Sequence, residues 1–277
     1  MKPADKFIGF IDIVGFKSLV QAAEANAGLT FAELSQAVNA LGSEADLKHV
    51  EQYGPSTCPE APRLRKNIDL QITQASDCVI LSAEVSPAGV INLVSHCWVA
   101  QFKLLKMGIM CRGYIKRGLI YHTKTHQIGT GLSDAVESEK KVSIFKQDAD
   151  ERGTPFIEID PAIVEYVRTQ PDRCVKEIFS RYVKTDRGLT ALFPFKRLNH
   201  SFVIGGFGPK SDPAKEKASV NVVRGWIRNM KAGVSKHINQ SDLKAVSKGN
   251  HYIRMLDEQL GACDKTEEMI DRLMLSL

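Results

Sequence analysis

Two aspartates carry the chemistry this sequence offers. Asp12 ends the apolar run Phe7-Ile8-Gly9-Phe10-Ile11 and leads straight into the glycine turn Ile13-Val14-Gly15-Phe16. Asp77 stands in Ser76-Asp77-Cys78, between two strand-like runs. A carboxylate at a buried strand end is costly unless something compensates it. Two that converge repel each other, and the remedies are a shared proton or a divalent cation. Carboxylates together with substrate phosphates are the usual oxygen ligands of Mg²⁺ or Mn²⁺. Two such ions can activate an attacking hydroxyl and stabilise the leaving oxygen. The turn at Val14, Gly15 and Phe16 opens a helix, whose free N–H groups and positive dipole end suit a polyphosphate. Gly15 lets the backbone approach that ligand closely. No P-loop lysine motif is present. The plain alternative is an aspartate serving as helix cap or turn former.

The elements around these residues decide whether they meet. Residues 7–13 predict a strand, apolar almost throughout and therefore central in its sheet. A helix starts near Phe16, and a second spans Thr30 to Gln52, with Thr30 and Glu33 spaced as a capping box. Residues 53–66 form a breaker-rich loop that begins at Tyr53. Ile68, Leu70 and Ile72 alternate with polar residues, Cys78-Val79-Ile80-Leu81 is a buried strand, and 68–83 read as a hairpin turning at Ser76-Asp77. A helix follows Ser86-Pro87 and includes His96, read as an ordinary helical residue. Next come a strand within 108–121, a helix over 131–149, a strand at 156–159 and a hairpin over 178–195. The Gly- and Pro-rich stretch at 205–213 marks a boundary. Beyond it the chain is helical, with one stripe at Val220, Val223, Trp226, Ile227 and Met230 and another at Ile253, Leu256 and Leu260. The expected division is a domain at 1–205 and a helical extension at 206–277. The expected class is α+β, an antiparallel-rich sheet with helices on one face. Its strand-helix-strand-strand-helix-strand core is the ferredoxin-like pattern. In that pattern the first strand lies beside the hairpin, which brings Asp12 and Asp77 to one sheet edge.

Composition narrows the remaining classes. The chain has 277 residues and a net charge of +5. No apolar stretch is long enough to span a bilayer, so no membrane partner is expected. The N-terminus lacks the apolar region and cleavage site of a signal peptide, which implies a cytoplasmic location. The cysteines at 58, 78, 97, 111, 174 and 263 show no zinc-ligand spacing and read as reduced thiols. Lys210, Lys215, Lys217, Arg224, Arg228, Lys231 and Lys236 make the C-terminal region basic. A solvated helix face accounts for them, and nucleic acid is not the expected partner.

Phe10-Ile11-Asp12-Ile13-Val14-Gly15-Phe16 resembles the opening motif of the class III nucleotidyl cyclases. Ser76-Asp77 falls where that family has Gly-Asp. Arg112-Gly113-Tyr114-Ile115-Lys116-Arg117-Gly118 resembles its later arginine-to-glycine strand motif. The resemblance covers about residues 5–160. It is closer to the pyrimidine cyclases of bacterial Pycsar anti-phage systems, through Arg112-Gly113, Tyr121-His122 and Gly129-Thr130-Gly131-Leu132 running on to Ala135 and Glu139.

The resemblance implies that Asp12, Asp77 and the Ile13 carbonyl hold two Mg²⁺ or Mn²⁺ ions. The 3′-hydroxyl of UTP or CTP would then attack its own α-phosphorus. The cyclic nucleotide would serve as an alarm signal. The purine-reading lysine of the family aligns with Thr73, its base-reading acid with His126, and its helical asparagine and arginine with Ser133 and Glu137. Purine recognition and the usual transition-state arginine are therefore absent. Arg112, Lys116 or Arg117 would meet the phosphate charge, although Arg112 can equally pair with a core carboxylate. Tyr53 would stack on a pyrimidine or remain a surface tyrosine, and His126 would contact the base edge or remain an exposed strand-end histidine. The resemblance also implies a two-fold homodimer with sites at the interface. The C-terminal helices would reinforce that dimer, sense a phage-derived signal or pack back on the sheet. A purine cyclase and a catalytically silent nucleotide sensor are the competing outcomes.

Overall fold

A computed structural model describes residues 2–54, 67–149, 151, 153–195 and 212–275. Cys58, Lys210 and the expected domain boundary at 205 fall outside these residues. The chain divides into two compact units, Met1–Leu104 with Ile109–Phe193, and Leu105–Gly108 with Pro194–Leu277.

The first unit is α+β and is built on one mostly antiparallel sheet. β1 (Ala4–Ile13) is its apolar centre, with Phe7, Ile8, Ile11 and Ile13 all buried. β2 (Gln71–Ala75) and β3 (Cys78–Glu84) form a hairpin whose two-residue turn has Ser76 in a left-handed conformation at φ 56°. β4 (Cys111–His122) lies on the other side of β1. The spatial order runs β2, β3, β1, β4, then β6 (Ile157–Ile159), β8 (Leu189–Leu192) and β7 (Val183–Asp186), with β5 (Gln127–Ile128) paired to the end of β4. β1 is antiparallel to both of its neighbours, and β6 runs parallel to β4.

Helices cover both sheet faces, which corrects the one-face expectation. Ile8 and Gly9 are consecutive on β1 and so face opposite ways. A Cβ on Gly9 would touch Cys97 and Leu93 of α4 (Pro87–Lys106). Ile8 packs instead with Ile80, Ile120 and Ala135, against Phe10 and Leu132. Ala135 and Leu132 belong to α5 (Thr130–Glu139), which therefore lies on the face that carries Asp12. The helix expected to reach residue 149 ends at Glu139.

The other helices follow local signals. α1 (Phe16–Glu24) starts after Gly15, whose φ of 74° suits glycine. α2 (Phe31–Leu41) has the expected Thr30–Glu33 capping box. The single helix read over 30–52 is broken at Gly42. There Ser43 and Asp46 form a new N-terminus for α3 (Glu44–Tyr53), and the Ser43 N–H donates to the Asp46 carboxylate at 2.8 Å. His96 Nε2 hydrogen-bonds the Leu41 carbonyl at 3.1 Å and closes α2. α6 (Pro161–Arg168) and α7 (Arg173–Tyr182) precede the β7–β8 hairpin.

The second unit contains α8 (Pro213–His237) and α9 (Leu243–Leu275). Lys217 pairs with Asp271 at 2.9 Å, Arg224 with Glu267 at 2.6 Å and Lys231 with Asp257 at 2.6 Å, a register that makes the two helices antiparallel. Much of the basic run is thus matched by acids on the facing helix. Val220, Val223, Ile227 and Met230 are buried as the stripe predicts, whereas Trp226 is 47 % exposed. On α9 the buried apolar side chains include Tyr252, Met255, Leu256, Cys263 and Ile270, whereas Ile253 and Leu260 of the expected stripe are half-buried. Among the described residues no helix is long and apolar enough to cross a membrane.

The seat of α5 depends on two glycines. Gly118 and Gly131 meet backbone to backbone, and a Cβ on Gly131 would stand 2.6 Å from Ile8 Cδ1. Gly131→Val is expected to lift α5 and cost about 1–3 kcal/mol, read as a lowered midpoint in urea unfolding. An unchanged midpoint would refute the close packing.

Candidate cation and phosphate site

One backbone bond fixes the position of the hairpin tip. The Ile13 N–H donates to the Asp77 carbonyl at 3.1 Å. With Asp12 opposite Cys78 in the register, this sets the two aspartates side by side. Their carboxyls are close enough to share a hydrogen bond. The pKa of Asp12 is pushed up to about 7, first by burial, then by the Asp77 and Glu139 carboxylates, against the opposing pull of Arg112. Cys78, beside the pair, is pushed up to about 11 by burial and by the same two aspartates.

The turn after β1 completes one side of the site. Ile13 is buried and Val14 is half-buried. The Val14 N–H is already committed to the Met110 carbonyl at 3.0 Å, so it is not available to a phosphate. Gly15 and Phe16 have N–H groups with no acceptor among the described residues, and no side chain caps α1. A Cβ built on Gly15 would meet nothing within 4 Å, so the space beside this helix end is open.

Arg112 lies opposite Asp12 on β4 and on the same face. It turns to α5, where Nε is hydrogen-bonded to Glu139, and Nη1 reaches the Gly153 carbonyl at 3.4 Å. It therefore takes the core-carboxylate pairing that the sequence left open. Lys116 is four residues along the same face and pairs with Asp134 at 2.8 Å. Arg117 points to the opposite face by strand alternation and holds Asp5 at 2.6 Å. Neither reaches the aspartates within this chain.

The expected base-side residues form no single group. Thr73 sits on β2, where Gln127 Nε2 donates to its hydroxyl at 3.2 Å and His122 Nε2 lies 3.0 Å away. His122 Nδ1 also contacts the Ser82 hydroxyl at 2.9 Å. Burial, followed by the nearby Lys6 ammonium, lowers the His122 pKa to about 4, so the ring is neutral. His126 is exposed in the turn between β4 and β5 and contacts the Thr125 hydroxyl at 2.8 Å. Tyr53 is the last residue of α3, not a loop residue, and its ring meets His49 at a tilt of 46° with 69 % of its surface exposed. A cleft of about 400 Å³ between α3 and β2, lined by Leu47, Val50, Asp69 and Gln71, is separate from the carboxylate pair.

Sequence reasoning missed Glu139 as the partner of Arg112, and His122, Ser82 and Gln127 around Thr73. Ser82 had a signal, because a hydroxyl inside an apolar strand needs a partner. Glu139 had none beyond a helical acid, since its contact spans 27 residues of chain.

Chemically, the pair offers hard oxygen donors and a negative field beside free N–H groups. Among the described residues no three His, Cys, Asp or Glu side chains converge as a metal cluster. A cation held by Asp12 and Asp77 would need substrate or water oxygens to complete its shell. Compared with known proteins, the chain matches no family model and no curated sequence.

The raised Asp12 pKa has a signed consequence. Without a cation, folded Asp12 keeps its proton to about pH 7, while the unfolded chain releases it near the ordinary value of 3.8. The unfolded state then binds fewer protons, and stability falls as pH rises through that window. Asp12→Asn mimics the protonated carboxyl. In EDTA it is expected to melt about 2–4 °C above wild type at pH 8 and together with it at pH 4. An equal offset at both pH values would contradict the coupling.

Proposed function

We propose that this chain is a metal-dependent pyrimidine nucleotide cyclase. It converts UTP or CTP to the 3′,5′-cyclic monophosphate and pyrophosphate, as a second messenger in anti-phage defence. The observation that carries the reading is the contact between Asp12 and Asp77 beside an open, uncapped helix end. Two carboxyls held together, with no ion pair to a basic side chain among the described residues, suit a cation. The β4-β1-β3-β2 order is consistent with a ferredoxin-like class III cyclase domain.

In this mechanism Asp12, Asp77 and the Ile13 carbonyl would hold two Mn²⁺ or Mg²⁺ ions, which when bound would supply Lewis-acid activation of the 3′-hydroxyl and charge neutralisation on the triphosphate. The chain itself aligns the substrate. Gly15 and Phe16 N–H groups bind phosphate oxygens at the helix dipole. Arg112 presents the Nη2 edge left over from its bonds to Glu139 and Gly153. Thr73, in place of a purine-reading lysine, suits a smaller base. A second copy of the chain brings Lys116, Tyr53 or His126 to the substrate across a two-fold interface.

One observation favours a second reading, a silent nucleotide sensor. Arg112 is engaged by Glu139, so it is not wholly free to stabilise the transition state. Incubation with each of four nucleoside triphosphates and Mn²⁺, with products identified by mass spectrometry, separates the readings. Cyclic UMP or cyclic CMP is expected. Conversion of ATP or GTP alone would reject the pyrimidine assignment, and binding without turnover would favour the sensor. Asp77→Ala is expected to lower turnover at least about a hundredfold with an unchanged circular-dichroism spectrum. Full activity in that variant would remove the metal assignment.

A further inference from the structure

Arg112 is the basic residue nearest the carboxylate pair by register, yet it does not sit on it. Asp12 and Arg112 face each other across β1 and β4. Opposite charges in that relation commonly pair. Here Nε goes to Glu139 at the C-terminal end of α5, and Nη1 goes to the Gly153 carbonyl. No ion pair joins Arg112 to Asp12 among the described residues.

Burial explains the choice. The Glu139 side chain is 4 % exposed and has Arg112 as its ion-pair partner. A buried carboxylate left without a partner costs far more than one at the edge of a cleft. The C-terminal end of α5 adds a favourable dipole for a cation. The cradle is shaped for the guanidinium as well. Gly153 has φ 69°, and any Cβ there would stand 2.5 Å from Arg112 Nη1. Freed from this cradle, Arg112 would stand directly across β1 and β4 from Asp12, where a bidentate guanidinium would occupy the place of a divalent ion.

We propose that Glu139 is a positioning residue that holds Arg112 beside the Asp12–Asp77 pair instead of on it, and so sets the affinity of that pair for a divalent cation. The inference rests on the metal reading given above. It adds that the cation competes with an internal guanidinium, and that a side chain touching neither metal nor substrate decides the competition.

The test is titration with Mn²⁺ alone, without nucleotide, following loss of the free Mn²⁺ signal by electron paramagnetic resonance. The proteins are wild type, Asp12→Asn, Glu139→Gln and the double variant Glu139→Gln/Arg112→Gln. Glu139→Gln is expected to weaken Mn²⁺ binding about tenfold or more, as Arg112 transfers to Asp12. The double variant is expected to return to within about threefold of wild type, because the competing guanidinium is gone. Should Glu139→Gln fail to fold, Glu139→Asp withdraws the carboxylate by one methylene and carries the same expectation. Wild-type affinity in the folded Glu139 variant, or a double variant as weak as the single one, overturns the proposal while leaving the metal site in place. Wild-type protein that binds no Mn²⁺, or binds it equally after Asp12→Asn, overturns the metal reading and this proposal with it.

Discussion

The bond from the Ile13 N–H to the Asp77 carbonyl is the constraint on which the site depends. It pins a hairpin tip to the end of the central strand. Cys78 is already registered against Asp12, so the tip cannot slide without turning every side chain of β3 to the wrong face. The two carboxyls are thus held in contact by backbone hydrogen bonding and by the apolar cores on both sheet faces. Burial and their mutual repulsion together raise the Asp12 pKa to about 7. Such a pair is strained electrostatically in a way that a cation relieves.

The surroundings keep that strain from being relieved internally. α5 lies on the same face as Asp12, seated by the Gly118–Gly131 approach. It delivers Glu139 to Arg112 and Asp134 to Lys116. Each basic residue of the β4 motif is matched to an acid other than Asp12 or Asp77, with Arg117 taken by Asp5 on the far face. Positive charge is plentiful along β4, yet none of it makes an ion pair with the aspartates. Around Thr73, the side chains of His122, Ser82 and Gln127 form a hydrogen-bonded group with a neutral imidazole.

Much of this was legible in the chain because it is local. The apolar run at 7–13, the turn at Gly15, the capping box at Thr30 and the hairpin turn at Ser76-Asp77 each follow from residue type and spacing, and the structure has all four. The break at Gly42 was legible too, since Gly-Ser-x-x-Asp is a stop followed by a new cap. The reading of 30–52 as one helix rested on the apolar residues Phe31, Leu34, Val38, Leu41 and Leu47. Trp226 was assigned to a buried stripe for a similar reason. Periodicity places a residue on a face, but only packing decides how much of that face is covered.

The sequence by itself determined the candidate residues and their local settings: an acid at a strand end, a second at a hairpin turn, and a glycine-led helix end after the first. Tertiary structure alone decided where the charges go. Arg112 could face Asp12 or Glu139, Thr73 could stand free or join His122, and α5 could cover either side of the sheet. Those outcomes depend on which groups are buried deepest and on backbone approaches between residues far apart in the chain. No spacing along the sequence records either quantity, because desolvation and contact exist only once the layers have packed.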